Sequence, residues 1–187
     1  STEYMAICKQ TYTNAMSAMQ SIFLHTKNPI IIMDLDETVL DNSQYQIDLF
    51  FNNEEYNEIT WNDFVNKEIS GLVPGSKEFI IEYKKYNNAR IIYISNRSHS
   101  TLEATKNNMN KLGIYFQDDI FLLRKNLQDT KVIRRNEVFN GSNRMSQNGS
   151  QKVLAYFGDA MGDFPNDINY NFSINKFIFP NPMYGKW

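Results

Sequence analysis

Residues 30–43 read IIIMDLDETVLDNS, and the abrupt change from apolar to acidic at Asp34 decides how the chain folds. Four apolar residues in a row, three of them β-branched, have the length of a strand buried on both faces. A strand buried on both faces belongs to a parallel sheet layered between helices, and it delivers whatever follows it to the sheet's carboxyl edge. In extended chain Asp34 and Asp36, two residues apart, point to the same side. Two converging carboxylates repel each other unless a proton or a cation lies between them. With no His or Cys nearby, an all-oxygen donor set favours a hard divalent ion, and Mg²⁺ is the obvious choice because it tolerates a few carboxylates together with water and phosphate oxygens.

The same pattern recurs on both sides of this stretch. Upstream, Tyr4, Ile7, Cys8, Tyr12, Ala15, Met16, Met19, Ile22 and Phe23 recur at three- and four-residue steps, a helical stripe that ends at Asn28-Pro29. Residues 44–70 are polar, Asn-rich and aromatic, too long for a plain strand-to-helix connection. They read as helical excursions that form a small cap, with a short helix over 60–67. Pro74-Gly75 opens a helix carrying Phe79, Ile80, Tyr83 and Tyr86, which Asn87-Asn88 closes before the strand at 89–95. A helix from Ser100 to Leu112, ended by Gly113, leads to a strand at 120–123, and a further helix spans 129–139. The Gly/Ser/Asn-rich turn at 140–151 precedes the strand KVLAYFGD, and KFIFP at 176–180 supplies the last one.

Alternating short strands and helices imply an α/β fold with a largely parallel sheet and helices on both faces. The expected organisation is an N-terminal helix (1–28) packing with the cap, a cap segment (44–70), and a core from 29–43 and 71–187. Ligands in such sheets bind outside the carboxyl ends of the strands. Four strand ends are therefore candidates: Asp34, Ser95, the segment after Leu123, and Asp159.

Composition narrows the partners. At 187 residues, 42% hydrophobic and 14% aromatic, the chain suits one compact domain with a small appended cap and excludes a disordered polar segment. A formal charge of −2 and a pI near 5.7 supply no broad positive field, so a nucleic acid polymer is not the expected partner. A small phosphorylated ligand, held by a local cation or metal, is compatible with that balance. The one cysteine, Cys8, excludes an internal disulfide framework and a multi-cysteine metal site, and reads as a small buried residue. No stretch approaches the roughly 18 apolar residues of a membrane span, and STEYMAICKQ lacks the regions of a signal peptide.

A second acidic cluster, Asp159 and Asp163 in GDAMGD, follows the strand VLAYFG, which in a parallel sheet ends on the same edge as the first. Ser95-Asn96-Arg97 ends another strand there, offering a hydroxyl, backbone amides and the Asn96 side chain to phosphate oxygens. Lys131 stands near the start of the following helix, where an ammonium can meet both an anion and the carboxylates. Arg134 and Arg135 read as a solvated helix face.

DLDETVLDNS, SNR, a Lys before paired arginines, and GDAMGDF, in that order, resemble the four motifs of the haloacid dehalogenase (HAD) superfamily, and more closely its class C acid phosphatases of the bacterial outer-membrane lipoprotein type. The closing PNPMYGKW strengthens the resemblance, which covers the chain from about Asp34 onward. It implies a Rossmann-like fold and hydrolysis of phosphomonoesters, with Asp34 as nucleophile and Asp36 as acid/base. Ser95 would be a phosphate donor and Lys131 the third-motif cation. Mg²⁺ would sit between the Asp34 carboxylate, the Asp36 backbone carbonyl and Asp159, with Asp163 bracing the site from outside the coordination sphere. The resemblance further implies an aromatic clamp for nucleoside 5′-phosphates made by Trp61 and Tyr184. It also implies export to the cell envelope, with a membrane contact only through a lipid anchor. The alternatives are a phosphotransferase of the same superfamily, a phospho-acceptor signalling domain, and a catalytically silent nucleotide-binding surface protein. A signalling domain would need no acid at Asp36.

Overall fold

A computed structural model describes residues 1–185. Lys186 and Trp187, which end the PNPMYGKW stretch, lie outside the described residues. The chain opens with helix α1 (Thr2–His25), whose Ser1 hydroxyl accepts from the Tyr4 N–H at the first turn. Strand β1 (Ile30–Met33) and the short β2 (Leu40–Asp41) follow, then α2 (Ser43–Asn52), α3 (Glu58–Asn66) and the short β3 (Gly71–Leu72). The chain continues through α4 (Ser76–Tyr83), β4 (Arg90–Ser98), α5 (Leu102–Leu112), β5 (Ile120–Arg124), α6 (Lys131–Asn140), β6 (Val153–Gly158) and β7 (Lys176–Ile178).

Five strands form one sheet in the order β5-β4-β1-β6-β7, and every pairing in it is parallel. All four residues of β1 are buried, as its unbroken apolar run requires of a central strand with helices above and below. Period-two alternation divides its side chains. Ile31 and Met33 enter a cluster with Phe23, Phe79, Ile80 and Tyr83 of α1 and α4, whereas Ile30 and Ile32 join Val138 of α6 and Met145 on the opposite face. Because all five strands run the same way, their carboxyl ends share one edge.

The N-terminal helix departs from expectation. Its buried residues Cys8, Tyr12, Ala15, Met19 and Phe23 belong to the sheet-face cluster, and none of them joins the cluster formed by Tyr45, Leu49, Trp61, Phe64 and Val65 of α2 and α3. Tyr12 explains the choice. Its ring lies 4.5 Å from that of Phe179 and 5.2 Å from that of Phe79, centroid to centroid, and its hydroxyl donates to the Thr38 carbonyl at 2.6 Å. A helical stripe fixes that one face is buried but not what buries it. Here the aromatic partners stand beside the sheet.

The excursion between β2 and β3 returns to where it left. Those two strands pair antiparallel, Leu40 with Leu72 and Asp41 with Gly71, so the segment carrying α2 and α3 is closed at a narrow neck. Its five buried side chains make a small satellite core, each worth about 1.5–3 kcal/mol of apolar transfer before chain entropy is counted.

Candidate active site

The carboxyl edge of the sheet opens into a cleft of about 740 Å³ whose lining includes Asp34, Asp36, Trp61, Asn96, Lys131, Asp159, Asp163 and Tyr184. Of the nine side chains singled out from sequence, only Ser95 is missing from that wall, being fully buried behind it.

Asp34 directly follows β1 and is tied to β6 by its own N–H, which donates to the Phe157 carbonyl at 2.9 Å. Asp159 directly follows β6, and a single-turn helix at 161–163 brings Asp163 back toward it. One oxygen from each of Asp34, Asp159 and Asp163 lies within 4.8 Å of the others. Gly158 makes this approach possible, because a Cβ there would collide with the Asp163 side chain. Asp163, expected outside the coordination sphere, thus presents an oxygen as close as the other two. Its second oxygen accepts from the Ala160 N–H at 2.9 Å.

Lys131 begins α6, whose N-terminus is capped by the Thr130 hydroxyl. Its ammonium lies 2.7 Å from Asp34 Oδ1 and also pairs with Asp163. Burial pushes the Asp34 carboxyl well above the usual carboxylate range; Lys131 opposes this, and Asp163, Asp159 and Asp36 add to it. Burial likewise pushes Asp159 up to about 6 against the hydrogen bond that Asn181 donates to it at 2.7 Å. Burial would lower the Lys131 ammonium, but Asp34 and Asp163 hold it above its ordinary value, so it remains charged. Among the described residues, the ion pairs of these four carboxylates, counting Asp36, are made with two cations, Lys131 and Arg97, leaving a formal excess of two negative charges. An all-oxygen cluster with that excess fits a hard divalent metal.

Asp36 Oδ1 accepts from Arg97 Nε at 2.8 Å and from Asn42 Nδ2 at 2.9 Å. Its Oδ2 accepts from the Ser95 hydroxyl at 3.1 Å. Ser95, expected to face a phosphate, therefore directs its hydroxyl at Asp36 instead, because the Arg97 N–H donates to the same oxygen at 3.0 Å and leaves its proton to the carboxylate. Asn96 does line the cleft. Its Oδ1 accepts from Arg134 Nη2 at 2.7 Å, which leaves its amide N–H₂ as the group free to donate.

Arg134 and Arg135, expected on a solvated face, are buried. They satisfy carbonyls that the edge of the sheet and the acidic loop leave unpaired. Arg134 donates to the Ser95 and Leu122 carbonyls and Arg135 to that of Gly162, the last at 2.8 Å. Burial brings the Arg134 guanidinium down to about 10.

Trp61 and Tyr184 both reach the cleft but differ in exposure. Trp61 is 9% exposed, packed 5.1 Å from Tyr45 and 5.7 Å from Phe64, whereas Tyr184 is 47% exposed. The Asn181 side chain accepts from the Met183 and Tyr184 N–H groups while donating to Asp159, so it joins the turn bearing Tyr184 to the acidic cluster. Sequence reasoning missed Asn181, Asn42 and Tyr56. Tyr56 lines the cleft at 58% exposure and lies edge-on to Tyr45. Asn42 stands in the quoted DLDETVLDNS and Asn181 in PNPMYGKW, so the motif extensions carried both.

Comparison with known proteins shows the family and the fold. A class C acid phosphatase from Bacillus anthracis, solved with tungstate bound, superposes with a TM-score of 0.81 at 29% identity over 98% of this chain and 80% of that one. A second structure of the Bacillus anthracis class C acid phosphatase gives 0.79 at the same identity and coverage. The stem 31 kDa glycoprotein of Glycine max is 26% identical over 159 residues, 84% of this chain, and the chain spans 59% of that protein's length. The family model for HAD superfamily subfamily IIIB, the acid phosphatases, matches residues 1–187, and the chain belongs to that family.

Proposed function

We propose that this protein is a Mg²⁺-dependent acid phosphatase that hydrolyses phosphomonoesters, nucleoside 5′-monophosphates foremost, through a phosphoryl group carried on Asp34. The observation that carries the reading is the Lys131 ammonium 2.7 Å from Asp34 Oδ1, in a cluster where Asp159 and Asp163 bring oxygens within 4.8 Å. The family and the class C structural neighbours support the phosphomonoesterase activity.

Asp34 and Asp159 would hold the ion by side-chain oxygens, and Asp36 by its backbone carbonyl. When bound, the ion supplies positive charge that offsets the repulsion between a phosphate dianion and a carboxylate. The Asp34 carboxylate attacks phosphorus in line, the ester P–O bond breaks, and the leaving alkoxide takes a proton from Asp36. Water then attacks the aspartyl-phosphate and gives its proton to Asp36, which frees inorganic phosphate and restores the Asp34 carboxylate and the protonated Asp36. Lys131 stays charged through the cycle and neutralises phosphate oxygens; Asp163 holds it in place. Asn96, its amide turned by Arg134, donates to a phosphate oxygen, and Ser95 holds Asp36 and can turn its hydroxyl to the phosphate.

Residues 44–70 act as the cap in this reading. Trp61 and Tyr184 would flank a nucleobase, since stacking on an aromatic face is favourable and indifferent to which base is present. Tyr56 adds a more exposed ring on the cap side. Export to the cell envelope, with a lipid anchor as the membrane contact, rests on family resemblance. No helix among the described residues is long and apolar enough to cross a membrane.

The test is Asp34→Asn. Turnover of 4-nitrophenyl phosphate with Mg²⁺ should fall about a thousandfold or more while the melting temperature holds or rises. A variant that keeps a tenth of the wild-type rate overturns Asp34 as the nucleophile.

A further inference from the structure

Arg97 takes no part in the chemistry above except as a neighbour of Asp36, yet every nitrogen of its buried guanidinium is engaged. Nε donates to Asp36 Oδ1 at 2.8 Å, Nη1 to Thr105 Oγ1 at 3.2 Å, and Nη2 to Asn42 Oδ1 at 3.1 Å and Ser70 Oγ at 3.3 Å. Its Cζ lies 5.7 Å from the centre of the Trp61 ring. The residue is 1% exposed. Asn42 and Ser70 flank the β2–β3 neck and hydrogen-bond each other at 2.7 Å, so the guanidinium is bolted to the root of the excursion and to α5.

The consequence falls on Asp36, whose two oxygens are treated differently. Arg97 Nε and Asn42 Nδ2 both donate to Oδ1, while among the described residues Oδ2 accepts only from the Ser95 hydroxyl, the orientation of which is set by the Arg97 backbone N–H. The Arg97 side chain therefore holds Oδ1, and the backbone N–H at the same position orients the Ser95 hydroxyl toward Oδ2. Oδ1 is used for anchoring, and Oδ2 keeps lone-pair capacity toward the cleft. A planar fork with fixed donor directions can impose this orientation, and a lysine ammonium cannot.

We propose that Arg97 is a positioning residue that fixes the rotamer of Asp36 so that Oδ2 meets the leaving-group oxygen, and that it anchors this setting to the neck of the cap. The inference rests on the reading of Asp36 as the acid/base, and the experiment separates the two.

The readout is the dependence of kcat/KM on the leaving group, measured with Mg²⁺ present on 4-nitrophenyl phosphate and on an alkyl phosphate such as glycerol phosphate. Nitrophenolate departs with little need of a proton, whereas an alkoxide needs one, and positioned general acids contribute about 10²–10⁴-fold. Arg97→Lys and Arg97→Gln should each lose at least tenfold more kcat/KM on the alkyl than on the aryl substrate. A variant that merely loosens the fold would lose both alike. Asp36→Asn calibrates the scale. If Asp36→Asn shows no greater loss on the alkyl substrate, the acid/base reading fails; if it does and the Arg97 variants lose both substrates equally, the positioning role is overturned. Should the Arg97 variants not fold, Ser70→Ala and Thr105→Val keep the guanidinium and remove one anchor each. They should tilt the ratio the same way by several-fold, and an unchanged ratio in both overturns the proposal.

Discussion

Asp34, Asp159 and Glu37 are carboxyl groups in surroundings that favour their neutral forms, and this ties the protein's stability to pH. Burial pushes Asp159 up to about 6 and Glu37 up to about 8, and raises Asp34 as well. A carboxyl whose folded pKa is raised contributes stability in full below its unfolded pKa and loses it as pH rises through the folded value. The metal-free protein should therefore melt at a lower temperature at pH 7.5 than at pH 5. Asp159 alone contributes about 1.4 kcal/mol to this difference, or roughly 3–6 °C for a chain of this size. Added Mg²⁺ should restore the loss above pH 6 and little below pH 5. A metal-free melting temperature that rises over this range in calorimetry would show that the carboxylates are not crowded as described. The acidic residues and Lys131 were legible in the sequence because each interrupts an apolar run or opens a helix at a strand end. Arg134 and Arg135 were not. Arginine is usually exposed, and nothing in a linear pattern reveals which backbone carbonyls a sheet edge leaves unpaired.

Between elements, the contacts that set the architecture are backbone approaches that only certain residues permit. Gly75 lies at φ +91 just before α4, and a Cβ there would lie 3.2 Å from both Lys9 Cα and Tyr12 Cδ2 of α1. Gly75→Ala meets a strained backbone and a crowded helix seat together, so it should destabilise by about 1–3 kcal/mol. The check is a denaturant midpoint lowered with its slope unchanged; an unaltered midpoint would mean that α1 does not seat on that turn. Helix and strand positions were mostly readable here. The apolar run of β1, Gly113 at the end of α5 and Pro74-Gly75 before α4 are local signals, acting within a few residues of the boundaries they mark. The partner of α1 was not readable, because a stripe of Tyr, Met and Phe suits a sheet face and a helical cap equally well.

For the whole molecule, the cleft is shared between the sheet edge and the excursion, and the proposed function assigns substrate choice to that shared wall. Tyr184 from one side and Tyr56 and Trp61 from the other should give 5′-nucleotides an advantage over 3′-nucleotides and sugar phosphates in a hydrolysis screen with Mg²⁺. Stacking is worth about 1–3 kcal/mol per base, so Tyr184→Ala should raise KM for 5′-AMP about tenfold and leave that for glycerol phosphate nearly unchanged. Equal effects on both substrates would remove the clamp. Trp61→Ala is the less clean probe, because the indole is mostly buried against Tyr45 and Phe64. The sequence marked out the excursion and offered Trp61 within it and Tyr184 beyond it as aromatic candidates. It could not show that the exposed ring on that side is Tyr56, since exposure depends on how Tyr45, Trp61 and Phe64 fill the small core first.

The paired ends of the excursion give the fold a modular seam. Since Leu40 meets Leu72 and Asp41 meets Gly71, the chain enters and leaves the insertion at almost one point, and its length can drift without shifting any strand of the main sheet. Asn42 and Ser70 stand just inside that seam, fastened to Arg97. A graft of a foreign lid onto this chassis can therefore exchange what lies between them, and with it the molecules admitted, so long as those two rivets are kept.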